Sequence, residues 1–227
     1  MRILTNIFLL SLLLLPFTSS AKTIDNNYPV GEDLVAETFP GYIITTSDER
    51  IEGNVIAGSI TDNEVKVKFI HENGKKESFK PSEIKGYGFQ QEIEDEMGIG
   101  ITKWRHFETA MADYPPKPFG SKDVFMEKEV EGMVDVYVYY VEIRNNVEEP
   151  YRYYYYIKDN FGNFKKVDED NFASISKVLF KDYTALTTRL GKKGFEYKNL
   201  DRMARDYNYW ATNQHEKTEY RVAMKQN

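Results

Sequence analysis

The chain has 227 residues, with 36 acidic residues against 30 lysines and arginines and a net charge of −6 at pH 7. This length allows one sizeable domain or two small ones, and the acidic balance disfavours binding to a nucleic-acid backbone. Because the sequence has no cysteine, disulfides, thiol catalysis, cysteine-ligated zinc and a lipid-modified N-terminal cysteine are excluded.

Residues 1–21 have the features of a secretory signal peptide. Arg2 supplies one positive charge, an apolar run follows from Ile7 to Leu15, and small residues end it at Ser19-Ser20-Ala21. The apolar run is shorter than the roughly 20 residues that a spanning helix needs, so we expect cleavage rather than a membrane anchor. The mature chain would begin near Lys22, would be periplasmic or secreted, and would have no transmembrane span.

A small β module is predicted for residues 41–90, after a polar, irregular lead-in at residues 22–40. The third of its strands alternates apolar residues with lysines from Val65 to Phe69, and Asn73-Gly74 predicts the hairpin that follows. The five expected strands cover residues 42–46, 51–57, 65–69, 77–79 and 85–89. A turn is expected at 61–63, and one helical turn precedes the fifth strand. This order is typical of an SH3-like β-barrel, a fold that hosts many functions.

A second, antiparallel β-sheet with C-terminal helices is predicted for residues 98–213, so the expected fold class is α+β and mainly β. Its strands cover residues 99–111, as one or two strands, 124–143, which we expect Gly132 to divide into two strands, and 151–157. Trp104 and Phe107 are the core candidates in the first of these, and three prolines stiffen the loop at 114–119. Three helices follow, with Asp168 or Asp170 capping the first and Asp182 the second. Residues 214–227 are a polar tail that we expect to fray.

The strands of the second sheet are rich in tyrosine. Strand alternation puts Tyr151, Tyr153 and Tyr155 on one face, and it puts Tyr154 and Tyr156 on the other with Arg152. We expect one face in the core and the other exposed as an aromatic shelf, suited to stacking on sugars or to a protein interface. Cross-strand tyrosine pairs that only stabilise the sheet are the alternative. The candidate binding residues are Tyr137, Tyr139, Tyr154, Tyr156 and Arg152.

No catalytic or metal-binding motif is recognised in the sequence. The histidines share no zinc-binding spacing, no serine lies in a nucleophile elbow, and the acidic run at 92–96 lacks the spacing of a calcium loop. Gly86 and Gly88 do not open a helix, as a phosphate-binding loop does. The sequence therefore predicts no catalytic residue, metal or cofactor. One enzymatic alternative stays open: a hydrolase acting on envelope material, in which His106 meets a distant carboxylate.

Several segments carry a resemblance to a known group of proteins. They are residues 41–43, Ile51-x-Gly53, 65–69, 81–89 (Pro-Ser-Glu-Ile-Lys-Gly-Tyr-Gly-Phe), 125–132, 155–157 and 200–208. Over most of the mature chain, the sequence resembles uncharacterised secreted proteins of Bacteroidota-type bacteria. The resemblance implies export and a non-enzymatic role, and it transfers no site residue. We therefore expect an exported interaction module of the cell envelope that binds a protein or a glycan.

Overall fold

The structure is a computed structural model that describes residues 37–94, 98–112, 122–143, 151–158 and 162–225. The predicted signal peptide, residues 22–36 of the lead-in and the proline-rich loop lie outside these ranges. Within them, no helix combines the length and the apolar character that crossing a bilayer requires.

The described residues form ten strands and four α-helices. The strands are β1 (Glu37–Thr45), β2 (Arg50–Ala57), β3 (Val67–His71), β4 (Lys76–Phe79), β5 (Ile84–Glu94), β6 (Gly100–Ala112), β7 (Lys122–Val130), β8 (Val136–Glu142), β9 (Tyr151–Lys158) and β10 (Phe164–Val167). The helices are α1 (Ile60–Val65), α2 (Glu169–Leu179), α3 (Thr184–Thr187) and α4 (Leu200–Lys225), with a 3-10 turn at Tyr197–Asn199.

All ten strands belong to one antiparallel sheet, in the order β10-β9-β8-β7-β6-β5-β1-β2-β3-β4. The mainly β class with a C-terminal helix is therefore confirmed. An SH3-like barrel is not confirmed, because the sheet is open: β5 pairs with β1 on one side and with β6 on the other, and β4 ends the sheet at its far edge. The β5–β6 hairpin thus joins the two predicted β regions within one sheet.

The first local difference from the prediction is α1, which stands where a turn was expected. The Ser59 hydroxyl accepts a hydrogen bond from the backbone N–H of Asp62 and so caps the helix. Val65 belongs to this helix and is 40% exposed, whereas Val67 and Phe69 are fully buried in β3. Local capping therefore prevails over the strand alternation at Val65.

The front face of the sheet carries two apolar clusters. The Phe107 cluster consists of Ile43, Val55, Val67, Phe69, Ile84, Tyr87, Phe89, Phe107 and Phe125. The helix cluster joins β8, β9 and β10 to the helices, chiefly through Val136, Val138, Tyr155, Ile157, Val167, Phe172, Phe180, Leu200 and Met203. Trp104 and Phe107 were both core candidates, but only Phe107 is buried, because the two side chains point to opposite faces of β6.

The back face of the second half carries the Tyr137 cluster. It consists of Ala110, Ala112, Val124, Met126, Tyr137, Tyr139 and Tyr156. The sheet curves here, since β10 contacts β6 and Lys158 of β9 forms an ion pair with Glu108 of β6. The curvature encloses side chains that a flat sheet would expose.

The helices differ from the prediction in their caps and their end. Asp168, one of the two predicted capping residues, caps α2 and forms a capping box with Asn171. The prediction that Asp182 caps the second helix is wrong, because α3 begins after Tyr183 without a side-chain cap. The polar tail is helical in its described part, since α4 continues past Gln214 to Lys225.

Candidate binding site

The predicted tyrosine site lies in the core rather than on an open shelf. Tyr137 and Tyr156 are fully buried, Tyr139 is 8% exposed, and Tyr154 is half-buried. Only Arg152, the fifth predicted residue, is exposed. The strand alternation is as predicted, but both faces are covered, so no exposed aromatic shelf forms at these residues. A binding role for them stays a prediction.

These tyrosines adopt the cross-strand arrangement that was the alternative interpretation. Tyr137 pairs with Tyr156, and Tyr139 pairs with Tyr154. The Tyr137 hydroxyl donates to Glu108 at 2.7 Å, and burial raises its pKa far above the ordinary value. Burial, followed by the nearby Glu64 carboxyl, raises the pKa of Tyr139 to about 12. Such neutral, enclosed phenols suit a structural role.

An exposed aromatic site lies elsewhere, on the back face of β1, β2, β5 and β6. We call it the Trp104 patch, and it consists of Tyr42, Arg50, Glu52, Trp104 and His106. Each of these side chains alternates along its strand with residues that face the front of the sheet, such as Ile43 and Phe107. The patch thus lies behind the Phe107 cluster, on strands that this cluster holds in place.

Gly88 makes the centre of the Trp104 patch possible. It lies between Tyr42 on β1 and His106 on β6, and it pairs with both. A Cβ at this position would lie 2.8 Å from three atoms of the Tyr42 side chain, so the Tyr42 ring occupies the space that a side chain would fill. The Tyr42 hydroxyl thereby crosses β5 and lies 2.6 Å from Nδ1 of His106.

Trp104 is the exposed ring of the patch. It is 38% exposed, and it stacks on His106 with 5.8 Å between ring centroids and 12° between ring planes. The Arg50 guanidinium lies 3.7 Å from the Tyr42 ring centroid and 5.9 Å from that of Trp104. Arg50 Nε also donates to Glu52 Oε1 at 2.6 Å, which fixes the guanidinium beside the rings.

The electrostatics of the patch combine a neutral centre with balanced charges. Burial lowers the pKa of His106 and raises that of Tyr42, so this pair is uncharged at neutral pH. Arg50 is paired with Glu52, and nearby Lys128 lies 3.4 Å from Glu131. Neither sign of charge dominates, so the patch does not select a strongly charged ligand.

The geometry gives no support to a hydrolytic site at His106. In the described ranges, the His106 side chain forms a hydrogen bond with Tyr42 and none with a carboxylate. Nor do these ranges contain a group of three or more histidine, aspartate and glutamate side chains placed to hold a metal ion. The neutral imidazole can instead donate or accept a hydrogen bond to a bound molecule.

Sequence reasoning missed most of this patch, although two signals were present. Counting in twos from Phe107 puts Trp104 on the opposite face from the core. The glycines at 86 and 88 flank buried Tyr87 and precede buried Phe89, which indicates a back face of β5 without side chains at those positions. Neither signal shows that Tyr42 fills the space, because that depends on the pairing of β1 with β5.

A second cluster of aromatic rings lies on the helical side, where Tyr183 and Trp210 stack at 4.6 Å. The shallow cavity beside them is lined by Tyr183, Asp206, Tyr209, Trp210, Asn213 and Gln214. Trp210 is half-buried against the helix cluster. The main role of these rings is therefore to cover the end of the core.

Comparisons with known protein families, with curated proteins and with solved structures gave no match to this chain. The resemblance to secreted proteins of Bacteroidota-type bacteria therefore stays a prediction.

Proposed function

We propose that this protein is an exported, non-enzymatic interaction module of the cell envelope, which binds a protein or a glycan through the Trp104 patch. Export is supported by the signal-peptide pattern of residues 1–21 and by the resemblance to secreted proteins. The observation that carries the binding role is the exposure of Trp104 while its ring is held against His106 and beside Arg50.

The support for binding lies in the rigidity of this exposed aromatic surface. Tryptophan, tyrosine and arginine are the residues that most often dominate binding energy in protein interfaces. Here Trp104 and Arg50 are exposed on paired strands, with Tyr42 buried beneath Arg50 and the Phe107 cluster on the other face, so little conformational entropy is lost when a partner binds. The wider interaction surface includes Thr102, which is exposed and precedes Trp104 by two residues on the same face of β6.

Site-directed crosslinking in the native cell envelope tests this proposal. A photo-reactive amino acid at Thr102 should capture a stoichiometric protein or saccharide, which mass spectrometry identifies after purification. The matched control places the same group at Val178, which is 71% exposed on α2. Equal capture at both positions, or no capture at Thr102, would overturn the assignment of the patch.

The export part of the proposal has a separate test. The protein should fractionate with the periplasm or the medium, and N-terminal sequencing should find a mature chain that begins near Lys22. A cytoplasmic protein that retains residues 1–21 would contradict export, and this result would leave the assignment of the Trp104 patch unaffected.

A further inference from the structure

We propose that the Trp104 patch is a carbohydrate subsite that receives the apolar face of an uncharged pyranose ring. This inference rests on the proposed function and deepens it, because it names the ligand class. Four features of the patch carry it: the exposed indole, the hydrogen-bonding groups beside it, the charge balance and the rigidity of the platform.

The indole of Trp104 offers an apolar surface of the right kind. A pyranose has one face of axial C–H groups, which packs on an aromatic ring, while its hydroxyls project around the edge. Trp104 is 38% exposed on the back face and already stacks on His106. A ligand therefore meets a ring whose orientation is set, at a site that is open rather than enclosed.

Hydrogen-bonding groups lie beside this apolar surface. Arg50 carries guanidinium donors next to the carboxylate acceptors of Glu52, and the two are 2.6 Å apart. When Tyr42 donates to Nδ1 of neutral His106, the imidazole proton lies on Nε2 and is directed away from Tyr42. Donors and acceptors in alternation match neighbouring sugar hydroxyls, each of which both donates and accepts.

The charge balance favours an uncharged sugar over a polyanion or an acidic peptide. Arg50 is neutralised by Glu52, and Lys128 lies between Glu131 and Asp135, at 3.4 Å and 3.6 Å. A polyanion would need several unpaired cations, as phosphate-binding surfaces have. The cations of this surface are instead paired with carboxylates.

The platform is built before a ligand arrives. Gly88 admits the Tyr42 ring, the Tyr42 hydroxyl fixes His106, and His106 in turn supports Trp104. Weak sugar contacts give useful affinity only when the protein loses little entropy on binding. This chain of contacts across three strands meets that requirement.

Affinity electrophoresis of the purified chain tests the inference with defined probes. Native gels contain dextran, laminarin or xyloglucan as neutral polysaccharides, and alginate or heparin as polyanions. At least one neutral polysaccharide should retard the protein, and neither polyanion should retard it more. Trp104→Ala should weaken binding at least about tenfold, whereas Trp104→Phe should retain most of it. Circular dichroism confirms that each variant is folded.

The matched control is Tyr209→Ala, which removes a ring that is 74% exposed on α4, away from the patch. It should leave the retardation unchanged. Retardation by none of the neutral polysaccharides, retardation by polyanions alone, or full binding by Trp104→Ala would overturn the carbohydrate assignment. If the Thr102 crosslink then captures a protein, the proposed function stands while the sugar inference fails, so the two results are distinguishable.

Discussion

At the scale of single residues, Gly88 has a structural requirement that bears directly on the Trp104 patch. Its missing side chain is the space that the Tyr42 ring occupies on its way to His106. A side chain is excluded here because it would occupy the volume of the Tyr42 ring. The backbone of Gly88 has an ordinary strand conformation, which other residues could also adopt. One methyl group is therefore enough to test it.

We predict that Gly88→Ala displaces the Tyr42 ring and breaks its hydrogen bond to His106. The expected cost is about 1–3 kcal/mol in the free energy of unfolding, as for other overpacked sites, measured by urea denaturation. The control is Gly100→Ala on β6, where a Cβ would meet no atom within 4 Å. Equal stability of the two variants would show that the Tyr42 ring adjusts without strain.

A second prediction at this scale concerns Tyr156, which is fully buried in the Tyr137 cluster. Tyr156→Ala should leave a cavity and lower the free energy of unfolding by roughly 3–5 kcal/mol. Tyr209→Ala, which removes an exposed tyrosine, should change it by less than about 0.5 kcal/mol. If chemical denaturation gives a small loss for Tyr156→Ala, the ring is not core, and the predicted aromatic shelf becomes the better account.

At the scale of elements, α1 fills a gap where two strands separate. The pairing of β7 with β8 covers only Glu127–Val130 and Val136–Val138, and α1 contacts both strands. Glu64 of α1 is 3% exposed, and its Oε1 accepts a hydrogen bond from the backbone N–H of Tyr140 at 2.6 Å. A side chain thus serves a backbone group of β8, which explains why a polar residue lies in the interior.

The carboxyl of Glu64 has an unusual electrostatic environment. Burial raises its pKa well above the ordinary 4.5, the hydrogen bond from Tyr140 opposes the rise, and the nearby Glu127 adds to it. Glu127 is itself buried and paired with Arg105, whose Nε donates to it at 2.7 Å. Arg105 is thus engaged by Glu127, which leaves burial as the dominant influence on the pKa of Glu64.

This environment predicts a pH-dependent stability that Glu64→Gln removes. Because the folded pKa is raised, the stabilisation from protonated Glu64 is complete below about pH 4.5 and is lost as the pH rises through the folded value. Urea denaturation between about pH 5 and pH 9 should therefore show a decline in the native protein that is smaller in Glu64→Gln. Glu72→Gln, at an exposed site, is the control and should decline like the native protein. Parallel profiles for all three proteins would contradict the prediction.

At the scale of the whole molecule, one sheet contributes to the clusters on both of its faces. On β6, Phe107 belongs to the front cluster and Ala110 to the back one. On β7, Phe125 faces the front, while Val124 and Met126 face the back. Unfolding either half would expose part of the core of the other, so we expect the described fold to be one cooperative unit.

The two tryptophans of the chain allow this to be measured. Trp104→Phe leaves Trp210 as the reporter of the helical half, and Trp210→Phe leaves Trp104 as the reporter beside β5. The two fluorescence transitions in urea should coincide with each other and with the loss of circular dichroism. Separate midpoints would instead show that the strands around β6 and the helical half unfold independently.

The sequence by itself determined the elements that depend on local chemistry. The Asn73-Gly74 hairpin, the alternation of Tyr153 to Ile157 and the Asp168 cap follow from turn geometry, strand period and helix capping, which neighbouring residues decide. The mainly β class followed from these elements together. The α1 helix, although local, differs from the prediction because strand alternation in the sequence includes Val65.

Only the tertiary structure decided which faces are covered and which residues meet. Alternation separates Tyr155 from Tyr156, but the curvature that brings β10 to β6 determines that both are buried. The pairing of β1 with β5, two strands separated by about forty residues in the chain, brings Tyr42 over Gly88 and next to His106. These contacts are long-range, and their cost in chain entropy is offset only when the whole sheet forms, so no local pattern predicts them.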